Sequence, residues 1–141
     1  MAELHFLQPP NWPRPRGFSN GVAAQGTVVA IAGQVGWNSN AQFDSDDLVA
    51  QTRQALDNVL QVLAQAGGHA GHIVRMTWYL TDKREYLARA REIGAVYREL
   101  IKGADGLAHY PAMTAVQVVA LIEDRAKVEI ECTAVIPRPV S

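Results

Sequence analysis

The chain of 141 residues holds one cysteine, Cys132. A lone thiol builds neither a disulfide framework nor a cysteine-rich metal site, so a reducing compartment suits it. Lysine and arginine number 13 against 14 acids, with a net charge of −1 and no basic run or stripe, which argues against a nucleic-acid binder. No apolar segment approaches the ~18 residues that a membrane span needs. The start, MAELHFLQPP, has no charged n-region followed by a long apolar run, so no secretory signal is read and a cytoplasmic location is expected. Gly33-Gln34-Val35-Gly36 does not open a helix, so the dinucleotide fingerprint is missing and no cofactor is implied. No serine or cysteine sits in a nucleophile elbow. His69-x-x-His72 lies in GGHAGHI without a nearby cysteine or carboxylate, and His5 and His109 are isolated; no metal site is expected.

What is present reads as an ordinary globule, 48% apolar and 19% charged, and one domain over residues 1–141 is expected. A chain near 150 residues buries about 70% of its unfolded surface, enough for a real core. The most informative stretch runs from Tyr110 to Pro137. Val128, Ile130, Cys132, Ala134 and Ile136 alternate with Lys127, Glu129, Glu131 and Thr133, a period of two that predicts a strand. Cys132 falls on its apolar face and reads as a core thiol. Met113 to Leu121 is apolar on both parities, as in a strand covered on both sides, and Glu123-Asp124-Arg125 reads as a hairpin connection between the two.

Upstream, Leu4 to Leu7 predicts a short strand, followed by PPNWPRPRG, whose four prolines in nine residues demand extended loop. NGVAAQ is a weak strand and Thr27 to Val35 a strong one. Its Gly33 marks a place where a backbone or ligand comes close. Asp46 to Ala66 predicts a helix with Leu48, Thr52, Leu56, Val59 and Leu63 as its stripe, widened by Val49, Ala55, Leu60 and Val62. Ser45 or Asp46 would cap it and Gly67-Gly68 end it. Ile73 to Leu80 predicts a strand. Asp82 with Glu85 resembles a capping box opening a second helix that Gly103 closes. Gly94 inside that helix costs ~1 kcal/mol relative to alanine and marks a close approach. Glu85 and Arg89 read as an i,i+4 pair on its solvated face.

The order β-β-β-α-β-α-β-β is an α+β fold: a mixed six-stranded sheet with two helices on one face. Val28 to Ala32 and Val116 to Val119 are apolar on both parities, and two helices cannot cover two faces. A homo-oligomer whose sheets share a core follows.

Glu129 and Glu131 share a strand face with Cα atoms ~7 Å apart. A carboxylate in a partly dry cleft can deprotonate water and pass the proton on; the alternative for Glu129 is a salt-bridge partner. Trp37, Trp78 and Tyr79 read as core or interface. Arg14 and Arg16 are loop cations that can also bend over a cleft.

Together PAMTAVQVVAL, KVEIECTAVI, GFSNGV, VVAIAGQVG, QTRQALDNVLQVLAQAG and IVRMTWYLTD resemble the reactive-intermediate deaminase family (Rid, YjgF-like), small proteins that hydrolyse imines and enamines. The resemblance implies a chorismate-mutase-like fold and a homotrimer with ligand clefts between neighbouring subunits. On composition and motifs, no cofactor, no metal, no nucleic acid and no membrane partner is expected. The resemblance further implies that Glu129 is the catalytic acid activating water and that Ala32, Gly33 and Gln34 lie against the ligand. Phe18 replaces an aromatic that is commonly tyrosine, and Gly94 stands where active members often carry a polar side chain. Met113 occupies the position of the arginine that clamps the substrate carboxylate, which marks a divergent subgroup. A bidentate Arg–carboxylate contact has no thioether substitute; losing one partner of such a buried pair costs about 2–5 kcal/mol, roughly thirty- to several-thousand-fold. Poor turnover of small 2-imino acids is therefore expected, with Met113, Phe18 and Ala115 lining an apolar pocket for a larger ligand. Three functions remain open: an imine or enamine hydrolase of altered substrate class, a non-catalytic trimeric binder of a small metabolite, and an RNA-directed activity, the weakest for want of a basic surface.

Overall fold

The computed structural model describes residues 4–102 and 110–137. The long helix α1 (Leu48–Gln65) follows its periodicity: Leu48, Thr52, Ala55, Leu56, Val59 and Leu63 are buried. Val62, which the widened stripe includes, is instead exposed. Asp47 is the cap, accepting the Ala50 N–H at 3.0 Å. Ser45 and Asp46, the expected caps, are otherwise engaged: Ser45 Oγ accepts the Asp47 N–H, and Asp46 pairs with Arg125. Gly67, at φ +82°, supplies the left-handed residue that ends the helix, and Gly68 N–H returns to Leu63 O at 3.1 Å.

Six strands form as expected: β1 (His5–Leu7), β2 (Gly21–Ala23), β3 (Thr27–Val35), β4 (Ile73–Leu80), β5 (Ala112–Gln117) and β6 (Val128–Ile136). They divide into a four-stranded sheet, β3-β6-β4-β5, and a two-stranded ribbon, β1-β2. One parallel bridge, Ser19 with Ala112, joins the chain leading into the ribbon to the edge strand β5.

The expected hairpin is not there. β5 runs parallel to β4, while β6 lies between β3 and β4 and is antiparallel to both. Residues 118–127 therefore pass around the end of β4 rather than turning back on β5. The strand expected as far as Leu121 stops at Gln117 because β4 itself ends at Leu80; Val118 N–H still donates to Leu80 O at 2.8 Å. Gln51, buried on α1, secures this crossing: its Nε2 donates to Arg125 O and Ser45 O, and its Oε1 accepts the Lys127 N–H. A buried amide with three bonds is fully worth its desolvation, whereas an unpaired one would cost about 1–3 kcal/mol.

The second helix is broken at Arg89 into α2 (Lys83–Ala88) and α3 (Ala90–Leu100). Asp82 does cap it, accepting N–H groups of Arg84 and Glu85. The break seats the apolar stripe: α2 fully buries nothing, while α3 buries Ile93, Val96 and Tyr97. Arg89 pairs with Asp47 and Glu92 rather than with Glu85, which faces Lys127 at 3.9 Å. The helix ends at Leu100 with Ile101 as cap; Gly103 and His109 lie outside the described residues.

Helices α1 and α3 cover one face of the sheet, where Val128, Ile130, Cys132 and Ala134 join Met76, Trp78, Leu56 and Leu63 in the core. Each such large side chain contributes about 1.5–3 kcal/mol by leaving water. Among the described residues no element covers the opposite face: Val28 is 66% and Val116 40% exposed. In the crossing, Val119 and Ile122 are also open to solvent.

Candidate functional site

The β4–β5 register aligns Met76 with Met113 and Trp78 with Ala115, so Met113 and Ala115 lie on the helix-covered side of the edge strand. Ala115 is small and, among the described residues, only the Ser19–Ala112 bridge flanks the outer edge of the strand, which leaves a cavity of about 440 Å³ between β5 and α3. Its walls are Trp78, Tyr86, Ile93, Gly94, Tyr97, Met113 and Ala115, with Phe18, Arg16 and Arg98 also lining it. Phe18 is brought there by its neighbour: Ser19 N–H donates to Pro111 O at 3.0 Å and Ser19 Oγ to Tyr110 O at 2.6 Å. That serine, which pins the proline-rich loop beside β5, carried no sequence signal beyond its type. Met113 is partly buried and packs against the core from within this cavity.

Glu129 is elsewhere. On β6 the even-numbered residues are buried against the helices, and Glu129 and Glu131 point from the uncovered face. Tyr79 pairs with Glu129 in register, and its hydroxyl donates to Glu131 Oε1 at 2.7 Å. That bond, first, and then burial raise the phenol's pKa, so it remains a neutral donor. Glu131 is thereby committed, whereas the Glu129 carboxylate has no hydrogen bond or ion pair among the described residues.

Gly33 explains the position of Glu129. A bulge falls between Ile31 and Gln34 of β3, and a Cβ on Gly33 would overlap Glu129 Oε2 and lie 2.9 Å from its Cδ. The close approach expected at this glycine is made by the acid's own side chain. Ala32 is exposed beside it. Gln34, beyond the bulge, pairs with Ile130, bonds Ala32 O at 3.1 Å and lines a shallow groove with Gln54 and Asn58 of α1. Gln34 does not share the face of Glu129.

Within one chain, then, the sequence candidates separate into two groups. Phe18, Gly94, Met113 and Ala115 line one cavity, and Gly33 and Glu129 meet on the opposite side of the sheet. A single ligand cannot touch both groups in one protomer.

Other reactive groups are occupied or inert. Burial pushes the Cys132 thiol up to about 12, which removes it as a nucleophile at neutral pH. Burial likewise raises the Tyr97 and Tyr86 phenols. His69 Nδ1 accepts the Gly71 N–H, and His72 Nδ1 accepts the His69 N–H, so both rings cap the short turn Ala70–His72. Among the described residues no three His, Cys, Asp or Glu side chains cluster as a metal site requires, and no helix is long and apolar enough to cross a membrane.

A family model described as Endoribonuclease L-PSP matches residues 13–136. The 2-iminobutanoate/2-iminopropanoate deaminase of Escherichia coli is 32% identical over 110 residues, covering 78% of this chain and 80% of that protein. Among solved structures, the Yersinia pestis Rid-family protein YyfB, of unknown function, superposes with a TM-score of 0.78 at 32% identity, covering 94% of this chain and 98% of its own. Escherichia coli TdcF with bound serine gives 0.66 at 31% identity, covering 90% and 92%. Matching motifs, a matching α+β architecture and relatives of this identity together place the chain in the reactive-intermediate deaminase (Rid, YjgF-like) family.

Proposed function

We propose that this protein is a hydrolytic deaminase of imines or enamines that acts as a homotrimer in the cytoplasm, a single domain over residues 1–141. The two separated groups of candidates meet where protomers meet: Gly33 and Glu129 of one face the cavity of Phe18, Gly94, Met113 and Ala115 of its neighbour. The uncovered sheet face, with Val28 and Val116 exposed, is the apolar surface that such an assembly buries.

The observation that carries the proposal is the Glu129 carboxylate, unpaired among the described residues and resting on a glycine with no room for a side chain. In the reaction, water adds to the carbon of the protonated imine as Glu129 takes one of its protons, giving a neutral carbinolamine. Glu129 returns that proton to nitrogen, then takes the hydroxyl proton as the C=O bond forms and the C–N bond breaks, and passes it to the departing ammonia, which leaves as ammonium beside the carbonyl product. Met113 offers no charge where relatives' substrates are clamped, so the substrate carries a larger apolar or aromatic body than 2-iminopropanoate.

Imines generated in situ by an amino-acid oxidase, with ammonia release as the readout, test this. Glu129→Gln should abolish hydrolysis and leave the oligomer unchanged; retained activity removes Glu129 from the mechanism. A second reading, a non-catalytic trimeric binder, is favoured by the aromatic lining of the cavity. A wild type inactive on every imine, yet raised in Tm by an aromatic ligand, would establish it.

A further inference from the structure

We infer that the cavity between α3 and β5 takes an aromatic or bulky apolar carboxylic acid, and that Arg98 binds its carboxylate in place of the cation absent at Met113. The inference rests on the functional proposal only for the chemistry done to that ligand. Its own support is geometric.

About 440 Å³ is room for a ring and a short chain. The lining contains two guanidiniums, Arg16 and Arg98, and no carboxylate. Neither arginine makes a hydrogen bond or ion pair among the described residues. The acids of α3 are already taken, Glu92 by Arg89 and Glu99 by Arg53, so nothing on that helix neutralises Arg98.

Gly94 determines where this guanidinium lies. It stands one turn before Arg98, and a Cβ there would come within 3.0 Å of Arg98 Nη1. Arg98 is an exposed residue, and its guanidinium lies over the bare backbone of α3 at the rim of the cavity. A glycine in mid-helix costs ~1 kcal/mol against alanine, and access for Arg98 accounts for it. Trp78 and Tyr97 form the inner wall of this cavity; their Nε1 and Oη atoms are fully buried, without a hydrogen-bond partner among the described residues, so the wall meets a ligand with aromatic carbon rather than with polar atoms.

Calorimetric titration of the intact protein with 3-phenylpropanoate and with its neutral isostere 3-phenylpropanamide decides the matter. The acid should bind about tenfold more tightly than the amide, as a charge-assisted bond warrants, and the gap should narrow with added salt. Arg98→Gln should bring the acid to the amide's affinity, and Arg98→Lys should keep part of the gap. Gly94→Ala, by displacing the guanidinium, should narrow it with little change in Tm. Equal affinities in the wild type, binding of neither compound, or a gap that survives Arg98→Gln would each overturn the assignment. A gap lost only in Arg16→Gln would overturn it too. Glu129→Gln separates the two proposals: it should lose ammonia release and keep the acid preference. Ammonia release without any acid preference sinks this inference alone, and an acid preference in a protein that releases no ammonia sinks only the deaminase.

Discussion

Replacing Gly33 by alanine separates the position of Glu129 from the stability of the fold. Gly33 is not among the positive-φ glycines Gly17, Gly26 and Gly67, so alanine meets no backbone penalty there. Its Cβ would overlap Glu129 Oε2, lie 2.9 Å from Cδ and 3.1 Å from Cγ. All three are side-chain atoms of a flexible residue, so the carboxylate moves and the strand does not. Loss of unfolded-state freedom contributes about 0.4–1 kcal/mol in favour of alanine, and an off-rotamer Glu129 costs about 0.5–1.5 kcal/mol. The two nearly cancel, and Tm should stay within a few degrees. Catalysis does not cancel: a misplacement of about 1 Å costs roughly a hundredfold. Ammonia release should therefore fall about a hundredfold in kcat while scanning calorimetry and light scattering match the wild type. Full activity with an unchanged Tm would refute the placement of Glu129 at the reacting carbon. Loss of the oligomer would show instead that this contact is structural.

Met113→Arg should raise turnover of small carboxylate-bearing imines about tenfold or more, given the worth of a charge-assisted pair; no change would count against residue 113 as the clamp position. Asp47→Ala removes the cap of α1 and the partner of Arg89, and should cost about 1 kcal/mol at neutral pH in urea unfolding. The Arg89 guanidinium, and then the Ala50 N–H, hold the Asp47 carboxyl below its usual range. A depressed folded-state pKa gives stability that is present above the unfolded value and lost as pH falls through the folded one. The gap between wild type and Asp47→Ala should accordingly close as acid is added below about pH 4; a gap independent of pH would show that the charge contributes nothing.

Much of this was legible in the chain because local periodicity reports which side of an element is buried. The stripe of α1 and the alternation of β6 could be read residue by residue, since a helix repeats every 3.6 residues and a strand every two. The same alternation placed Glu129 opposite Cys132, and the motifs around Gly33 and Met113 were enough to identify the family. Alternation names a face but not a neighbour. Nothing in PAMTAVQVV or KVEIECTAVI states that β6 inserts between β3 and β4, so adjacency in sequence suggests a hairpin where the sheet has a crossing. The crossing also depends on Gln51, 74 residues from Arg125, a long-range amide that no window detects. Tertiary packing likewise decided that the helix breaks at Arg89, that Glu129 and Met113 occupy opposite sides of one sheet, and that Gly94 admits Arg98 to a cavity rim. Those outcomes are set by which surfaces remain after the core closes, and that is a property of the assembled elements rather than of any one of them.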